Sequence, residues 1–217
     1  AYDYANVSIL RTYSLKPELF SVDHELALQF KKQQPNYITI GLKSIYEVPS
    51  LENERREVFY SKLSGGTTYW AMDDFSKMKE EMTEGRWTGI SSRYFISAVY
   101  DKGTTAKPQF QGRPVLNGEV TAALVYRVPG PSMQIPQRYY YGPKDIDLLK
   151  AAAPGLDTAV DFGWFTIFAY PLLKALKWFN LFVHNYGIAI ILLTILVKVV
   201  TYPLTFKSMK SMREMQK

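Results

Sequence analysis

Lys198 is the one charged residue between Trp178 and Phe206. At about 100° per residue, Gly187, Thr194, Lys198, Thr201 and Thr205 fall within roughly 60° of one another on a helical wheel. Ile190 and Ile191 lie on the same side. Three threonines and the lone charge therefore share a polar stripe on an otherwise aliphatic helix. A lysine deep in lipid costs about 2.5–3.5 kcal/mol on insertion scales, so it is expected to face other helices or a water-filled cavity. The competing reading has Lys198 snorkel to the headgroups, since Phe206 is only about 12 Å further along the helix. Pro203, on the opposite side, frees the carbonyl one turn earlier and bends the helix end.

No other constellation in the chain supports chemistry. There are no cysteines among the 217 residues, which excludes a disulfide scaffold, a zinc-thiolate site, an iron–sulfur cluster and a catalytic thiol. Phosphate-loop, GxSxG and HExxH motifs do not occur. The expectation is therefore no enzyme, no metal and no cofactor. The two histidines are far apart. His24, between Asp23 and Glu25, reads as a surface residue, and His184 as a packed or solvated residue at the membrane interface. The acid pairs Asp73-Asp74 and Glu80-Glu81 read as a solvated face. Tyr139-Tyr140-Tyr141 has the ring type that stacks on a sugar, although such runs more often fill a sheet.

The elements that position the stripe follow from hydropathy and charge. Trp178 to Val197 is free of Lys, Arg, Asp and Glu, and after Lys198 a second uncharged stretch runs to Phe206. Two membrane-crossing frames result, 178–197 and 186–206, each about 30 Å long as a helix, enough for a bilayer core. A buried core helix of a soluble protein is the rival reading. The net charge is +6. All of that excess lies in residues 164–217, where seven basic residues face a single acid, Glu214. A nucleic-acid-binding domain would carry its charge on the folded part, so no nucleic-acid binding is expected. Lys207, Lys210, Arg213 and Lys217 follow the span, which places that end in the cytoplasm and the preceding domain outside.

Residues 164–184 read as a helix lying in the membrane plane. Pro171 suits a first helical position. Leu172, Ala175, Leu176, Phe179 and Val183 share one face, with Lys174, Lys177 and Asn180 opposite and Leu181 as an exception. Trp164, Trp178, Phe165, Phe168 and Tyr170 supply interfacial aromatics. A soluble amphipathic helix packed on the domain is the alternative.

Residues 1–142 read mostly as strands. Leu26, Leu28 and Phe30 alternate with Ala27 and Gln29, as do Ile38, Ile40 and Leu42 with Thr39 and Gly41. Val120, Ala122, Leu124 and Tyr126 repeat the pattern. Gln34-Pro35-Asn36, Gly65-Gly66, Asn117-Gly118 and Pro129-Gly130-Pro131 supply turns. Short helices are predicted at 74–84 and from Lys144 to Ala153, the latter stopped by Pro154-Gly155. The fold class is mainly β, an antiparallel sandwich. The expected organisation is a β-domain over 1–163, an interfacial amphipathic helix over 164–184, one transmembrane helix over 185–206 and the start of a cytoplasmic loop over 207–217.

Several stretches resemble the YidC/Oxa/Alb family of membrane protein insertases, in its bacterial branch. They are Gly85 to Ala98 (GRWTGISSRYFISA), Tyr141 to Asp145 (YGPKD), Val160 to Trp164 (VDFGW), Pro171 to Phe179 (PLLKALKWF), Asn185-Tyr186-Gly187, and Thr194 to Thr205 (TILVKVVTYPLT). The last is the most specific. The match runs from about residue 85 to 217, and residues 1–84 resemble the family's periplasmic domain more loosely.

The resemblance implies a periplasmic domain of β-supersandwich type, here N-terminally incomplete, then the interfacial helix and the first core helix. It also implies a Gram-negative inner membrane, and further core helices outside these residues. In the family a positive residue on this helix faces a hydrated groove. That role falls on Lys198, with Thr194, Thr201 and Thr205 beside it. Most members carry arginine there, and lysine, unlike arginine, can release its proton. The implied function is inserting and chaperoning inner-membrane proteins, alone or with the Sec translocon. The implied partners are nascent membrane proteins, translocon components, the ribosome through cytoplasmic regions outside this chain, and the lipid bilayer. The alternatives are a membrane-anchored periplasmic carbohydrate-binding domain, with Tyr139 to Tyr141 as the platform, and a scaffold for the translocon.

Overall fold

This computed structural model describes residues 2–4, 6–45, 57–61, 67–71, 83–104, 107–115, 119–160 and 163–215. The chain forms two compact units, residues 1–160 and 161–217.

The first unit is built from antiparallel strands in two sheets. In chain order the strands are β1 (Tyr2–Asp3), β2 (Val7–Lys16), β3 (Ser21–Phe30), β4 (Tyr37–Ile45), β5 (Glu57–Ser61) and β6 (Thr67–Ala71). After these come β7 (Thr83–Glu84), β8 (Trp87–Ser91), β9 (Phe95–Asp101), β10 (Gln109–Val115), β11 (Glu119–Arg127) and β12 (Ser132–Pro143). The large sheet has the order β1-β2-β3-β12-β9-β8-β5-β6 and the small one β4-β11-β10-β7.

Side-chain alternation explains the layering. On the inner face of the large sheet, Leu26, Leu28, Val58, Tyr60, Ile90, Val99 and Ile135 meet Leu42, Phe110, Ala122, Leu124 and Tyr126 of the small sheet in one core. Tyr60 and Phe110 stack across it at 4.1 Å. On the outer face, Phe59, Trp87, Ile96, Ala98 and Tyr140 form a second core with Leu149, Ala152, Leu156 and Ala159. Those residues come from α1 (Ile146–Ala152) and the short 3-10 turn Leu156–Ala159. Strands β5 and β8, covered on both faces, are therefore buried almost throughout, Glu57, Thr88 and Ser91 included.

The predicted strands at 26–30 and 38–42 and the predicted helix after Lys144 are present. Asp145 caps α1 by accepting from the N–H groups of Asp147 (2.9 Å) and Leu148 (3.2 Å). Helix formation begins there because the carboxylate satisfies otherwise orphan donors. At the other end Gly155 takes φ +79°, a conformation that favours glycine.

Three expectations need correction. The strand predicted at 120–126 is present as β11, but Ala123 and Val125, the residues between its apolar positions, are buried as well, so β11 is covered on both faces from Ala122 to Tyr126. The end of the helix predicted over 74–84 is strand: Thr83 and Glu84 pair with Phe110 and Gln109 of β10. Sheet pairing there outweighs the local helical spacing. The rest of that helix, its acid pairs, and the turns at Gly65-Gly66 and Asn117-Gly118 lie outside the described residues. The third correction concerns Pro171. It is no helix start but sits inside α2 (Thr166–Val183), which begins five residues earlier after a short 3-10 turn, Gly163–Phe165.

In the second unit α2 packs against α3 (Tyr186–Met215). His184 takes a left-handed φ of 50° and closes α2, its N–H donating to Asn180 O at 2.8 Å. Asn185 opens α3, its Oδ1 accepting from the N–H groups of Gly187 (2.8 Å) and Ile188 (3.3 Å). This corner breaks the 178–197 frame. The continuous apolar stretch is Tyr186–Pro203, with mean hydropathy 1.9. It is about 27 Å long, close to the thickness of a bilayer core. The helix continues through the region expected to be loop, from 207 to Met215. Nothing in Lys207 to Met215 breaks a helix, and Pro203 lies within α3 without ending it.

Candidate functional site

Thr194, Lys198, Thr201 and Thr205 project from one side of α3, and all four are exposed. The threonine hydroxyls turn back on their own helix. Thr194 Oγ1 donates to Ile190 O at 2.8 Å, Thr201 Oγ1 to Val197 O at 2.8 Å, and Thr205 Oγ1 to Thr201 O at 3.1 Å. Their protons are thus satisfied locally, while oxygen lone pairs stay open to accept from water or a passing amide. Lys198 contributes donors and a positive charge, so the stripe pairs three acceptors with one cation.

Among the described side chains of α3 the least exposed are Ala189, fully buried, and the half-buried Leu192 and Leu193. On the helical wheel they centre about 160° from the stripe. The covered face of α3 and its polar face therefore point in opposite directions.

On α2 the expected division holds in part. Ala175, Leu176, Phe179 and Val183 are half-buried, and Lys174 is exposed. Leu172, on the same face, is exposed, and Lys177, on the polar side, is half-buried. Trp178 is exposed and meets Phe182 edge-on at 4.8 Å. Trp164 lies in the 3-10 turn before α2. Exposed Phe165, Ile167, Phe168, Trp178, Leu181 and Phe182 give this helix an apolar surface wider than one face.

In the first unit His24 contradicts its sequence reading. It is 4% exposed, not a surface residue. Alternation explains this: Asp23 and Glu25 face one side of β3, while His24 joins Leu26 and Leu28 on the inner face. Its ring stacks on Tyr13 at 4.7 Å and lies 5.7 Å from Tyr139. Neither ring nitrogen has a hydrogen-bond partner among the described residues. Burial pushes its pKa below the usual 6.5, opposed by nearby Gln137 and reinforced by Arg11. The Gln137 side chain is committed elsewhere and makes no hydrogen bond to the ring. Its Nε2 donates to Tyr126 Oη at 3.0 Å, and its Oε1 accepts from Tyr139 Oη at 3.3 Å.

Tyr139 and Tyr141 lie parallel, 6.2 Å apart, on the side that holds His24. Tyr140 points the other way into the second core and donates to Pro143 O at 2.7 Å. The three tyrosines therefore do not form the continuous stacking platform a sugar-binding reading needs. A groove of about 570 Å³ lies over Tyr13, His24, Tyr139 and Tyr141, bordered by Arg11 and by Thr39 to Gly41 of β4.

Two polar arrangements had no sequence signal, because their members are far apart in the chain. Arg138 donates from Nε to Asp23 Oδ1 (2.6 Å), from Nη2 to Asp23 Oδ2 (3.0 Å) and from Nη1 to Ala152 O (2.7 Å). That clip ties β3, β12 and the end of α1 together. It holds the Asp23 carboxyl at about 2, below its usual 3.8. In the inner core, Tyr126 Oη donates to Asp101 Oδ1 at 3.3 Å, and burial raises the Tyr126 pKa.

A two-sheet β domain followed by a helix long and apolar enough to cross a bilayer is the architecture expected of a membrane-anchored β-domain protein. Sequence comparison makes this specific. The profile of the YidC periplasmic domain matches residues 2–175, and that of the 60Kd inner membrane protein family matches residues 178–217. The chain belongs to the YidC family.

Three relatives carry the name membrane protein insertase YidC. That of Geobacter metallireducens is 40% identical over 181 residues, covering 78% of this chain and 33% of the relative. That of Geobacter sulfurreducens is 32% identical over 98% of this chain and 41% of the relative. That of Nitratidesulfovibrio vulgaris is 45% identical over 60% of this chain and 25% of the relative. The chain thus spans between a quarter and two-fifths of the length of these relatives.

Proposed function

We propose that these residues are the periplasmic domain, interfacial helix and first core helix of an inner-membrane protein insertase and chaperone. The observation that carries the reading is the stripe of Thr194, Lys198, Thr201 and Thr205 on the side of α3 opposite its covered face. The names of the relatives support the same activity. In this reading residues 1–163 lie in the periplasm, and α2 lies at the outer interface with Trp164, Trp178, Lys174 and Lys177 at the headgroups. Residues 185–206 span the bilayer, and the basic end after Phe206 is cytoplasmic.

The mechanism is physical. An incoming chain must carry polar segments past hydrocarbon, where each unsatisfied polar group costs several kcal/mol. A wet groove along the stripe shortens that dry path. Lys198 attracts acidic residues of the arriving tail, and the threonine oxygens hold water by accepting hydrogen bonds. The apolar segment then leaves sideways into lipid, driven by burial of its side chains. Nascent membrane proteins are the substrates. The Sec translocon and the ribosome are partners of the full-length protein.

The test is a charge series at Lys198 in the full-length protein, read as insertion of a single-span substrate with an acidic tail. Lys198→Arg keeps insertion, while Lys198→Ala and Lys198→Glu lower it, the latter more. Equal insertion by Lys198→Glu at equal expression contradicts the mechanism.

A further inference from the structure

Most described side chains of α3 are exposed, and Ala189 stands out against them. It is fully buried, with Leu192 and Leu193 half-buried on the same side. The element that α3 packs on is α2. On α2, Leu173, Leu176, Asn180 and Val183 are half-buried and fall within about 80° of one another on the helical wheel. These two lines of side chains are the faces that the helices turn to each other. A small residue at the centre of such a face lets two helix backbones approach closely.

The link between the helices is His184 and Asn185, since α2 ends at Val183 and α3 begins at Tyr186. Both link residues are held. His184 takes a φ of 50°, and its N–H donates to Asn180 O at 2.8 Å. The Asn185 side chain accepts from the N–H groups of Gly187 and Ile188, and its carbonyl accepts from Ala189 N at 3.0 Å. So short and so bonded a link leaves few free torsions. The side chain at 189 then sets how closely the two helices fold together on it.

This elbow bears on the stripe. Lys198 follows Ala189 by nine residues. That is about two and a half turns, so the two point in opposite directions, about 13 Å apart along the axis. Thr194, Thr201 and Thr205 lie about 120–160° from Ala189.

We propose that Ala189 is a positioning residue for insertion. By letting α2 close on the back of α3, it holds α2 away from the stripe and keeps that side of α3 free for substrate. The inference rests on the insertase reading. A larger side chain at 189 does not fit between the helices at their present spacing, and overpacking of this kind is relieved by backbone shifts. The helix that moves, α2, carries a broad apolar surface that includes Phe168, Trp178 and Phe182. Released from the back of α3, that surface competes with substrate for the space around α3.

The test is the distance between spin labels at positions 174 and 199 of the full-length protein in lipid, with insertion of a single-span substrate measured on the same variants without labels. Wild type and Ala189→Ser give the same narrow distribution and the same insertion. Ala189→Leu shifts or broadens the distribution by several ångströms and lowers insertion several-fold at equal expression. An unchanged distribution in Ala189→Leu overturns the elbow. A shifted distribution with full insertion overturns the positioning role. A second pair acts on the turn without adding bulk at the contact. His184→Gly keeps both distance and insertion, because glycine adopts positive φ freely. His184→Val reproduces the shift, because a β-branched residue resists that φ. Equal behaviour of the two contradicts a fixed turn. Failure of the insertase reading looks different: Lys198→Glu then inserts as well as wild type while the distance still responds to Ala189→Leu. That result overturns the positioning role together with that reading and leaves only the elbow.

Discussion

At the residue scale, placement on one face decides role. Lys198 could be singled out in the sequence because a lone charge in an apolar run is conspicuous, and helical spacing gathers the threonines beside it. The direction of their hydroxyl protons was not legible, since it depends on the carbonyls of Ile190, Val197 and Thr201. Replacing Thr194 and Thr201 together by valine should therefore leave α3 helical by circular dichroism. It should lower insertion several-fold by removing two water acceptors, and unchanged insertion would remove the threonines from the mechanism. His24 was misread because its charged neighbours suggested the surface, whereas in a strand the neighbours report on the opposite face. The Asp23–Arg138 clip gives a pH prediction. With the Asp23 carboxyl at about 2 when folded and 3.8 when unfolded, its contribution is complete above pH 3.8 and lost as pH falls through about 2. The contribution is about 1 kcal/mol after allowance for solvent screening. Chemical denaturation of wild type and Arg138→Ala across that window should show the wild-type advantage shrink toward acid pH, and a constant gap would refute it.

At the element scale, strands with clean alternation and helices with clear stops were readable, and elements fixed by distant partners were not. The α1 helix was legible from its stop at Pro154-Gly155, whereas its Asp145 cap shows only in the structure. Asp145→Ala removes the acceptor for two backbone donors. It should cost about 1 kcal/mol, seen as a lower Tm. No change would mean water replaces the cap at no cost. Strand β7 was illegible because only pairing with β10 makes Thr83 and Glu84 extended. The start of α2 was misplaced by Pro171, which fits a first turn by type but stands inside the helix. The corner at His184 and Asn185 decides between the two membrane frames, and its decisive feature, a left-handed residue followed by an Asn cap, gives little hydropathy signal. In the reading proposed here it sets α2 at the interface and lets α3 cross.

At the scale of the whole molecule, the β domain and the helical pair are separate compact units with separate chemistry. The stripe lies entirely in the second. Deleting residues 1–140 from the full-length protein should therefore leave much of its insertion activity, measured on a single-span substrate in cells. Complete loss with the protein still present would assign the activity to the β domain. The central claim is that substrate travels along the stripe of α3. The most direct measurement is a photo-crosslink from position 194 in the full-length protein to a ribosome-stalled, single-span nascent chain. A crosslink whose yield falls when Lys198 is changed to Glu is the predicted result. Absence of a crosslink at full expression would contradict the account, because the stripe would then face other helices and Lys198 would be structural.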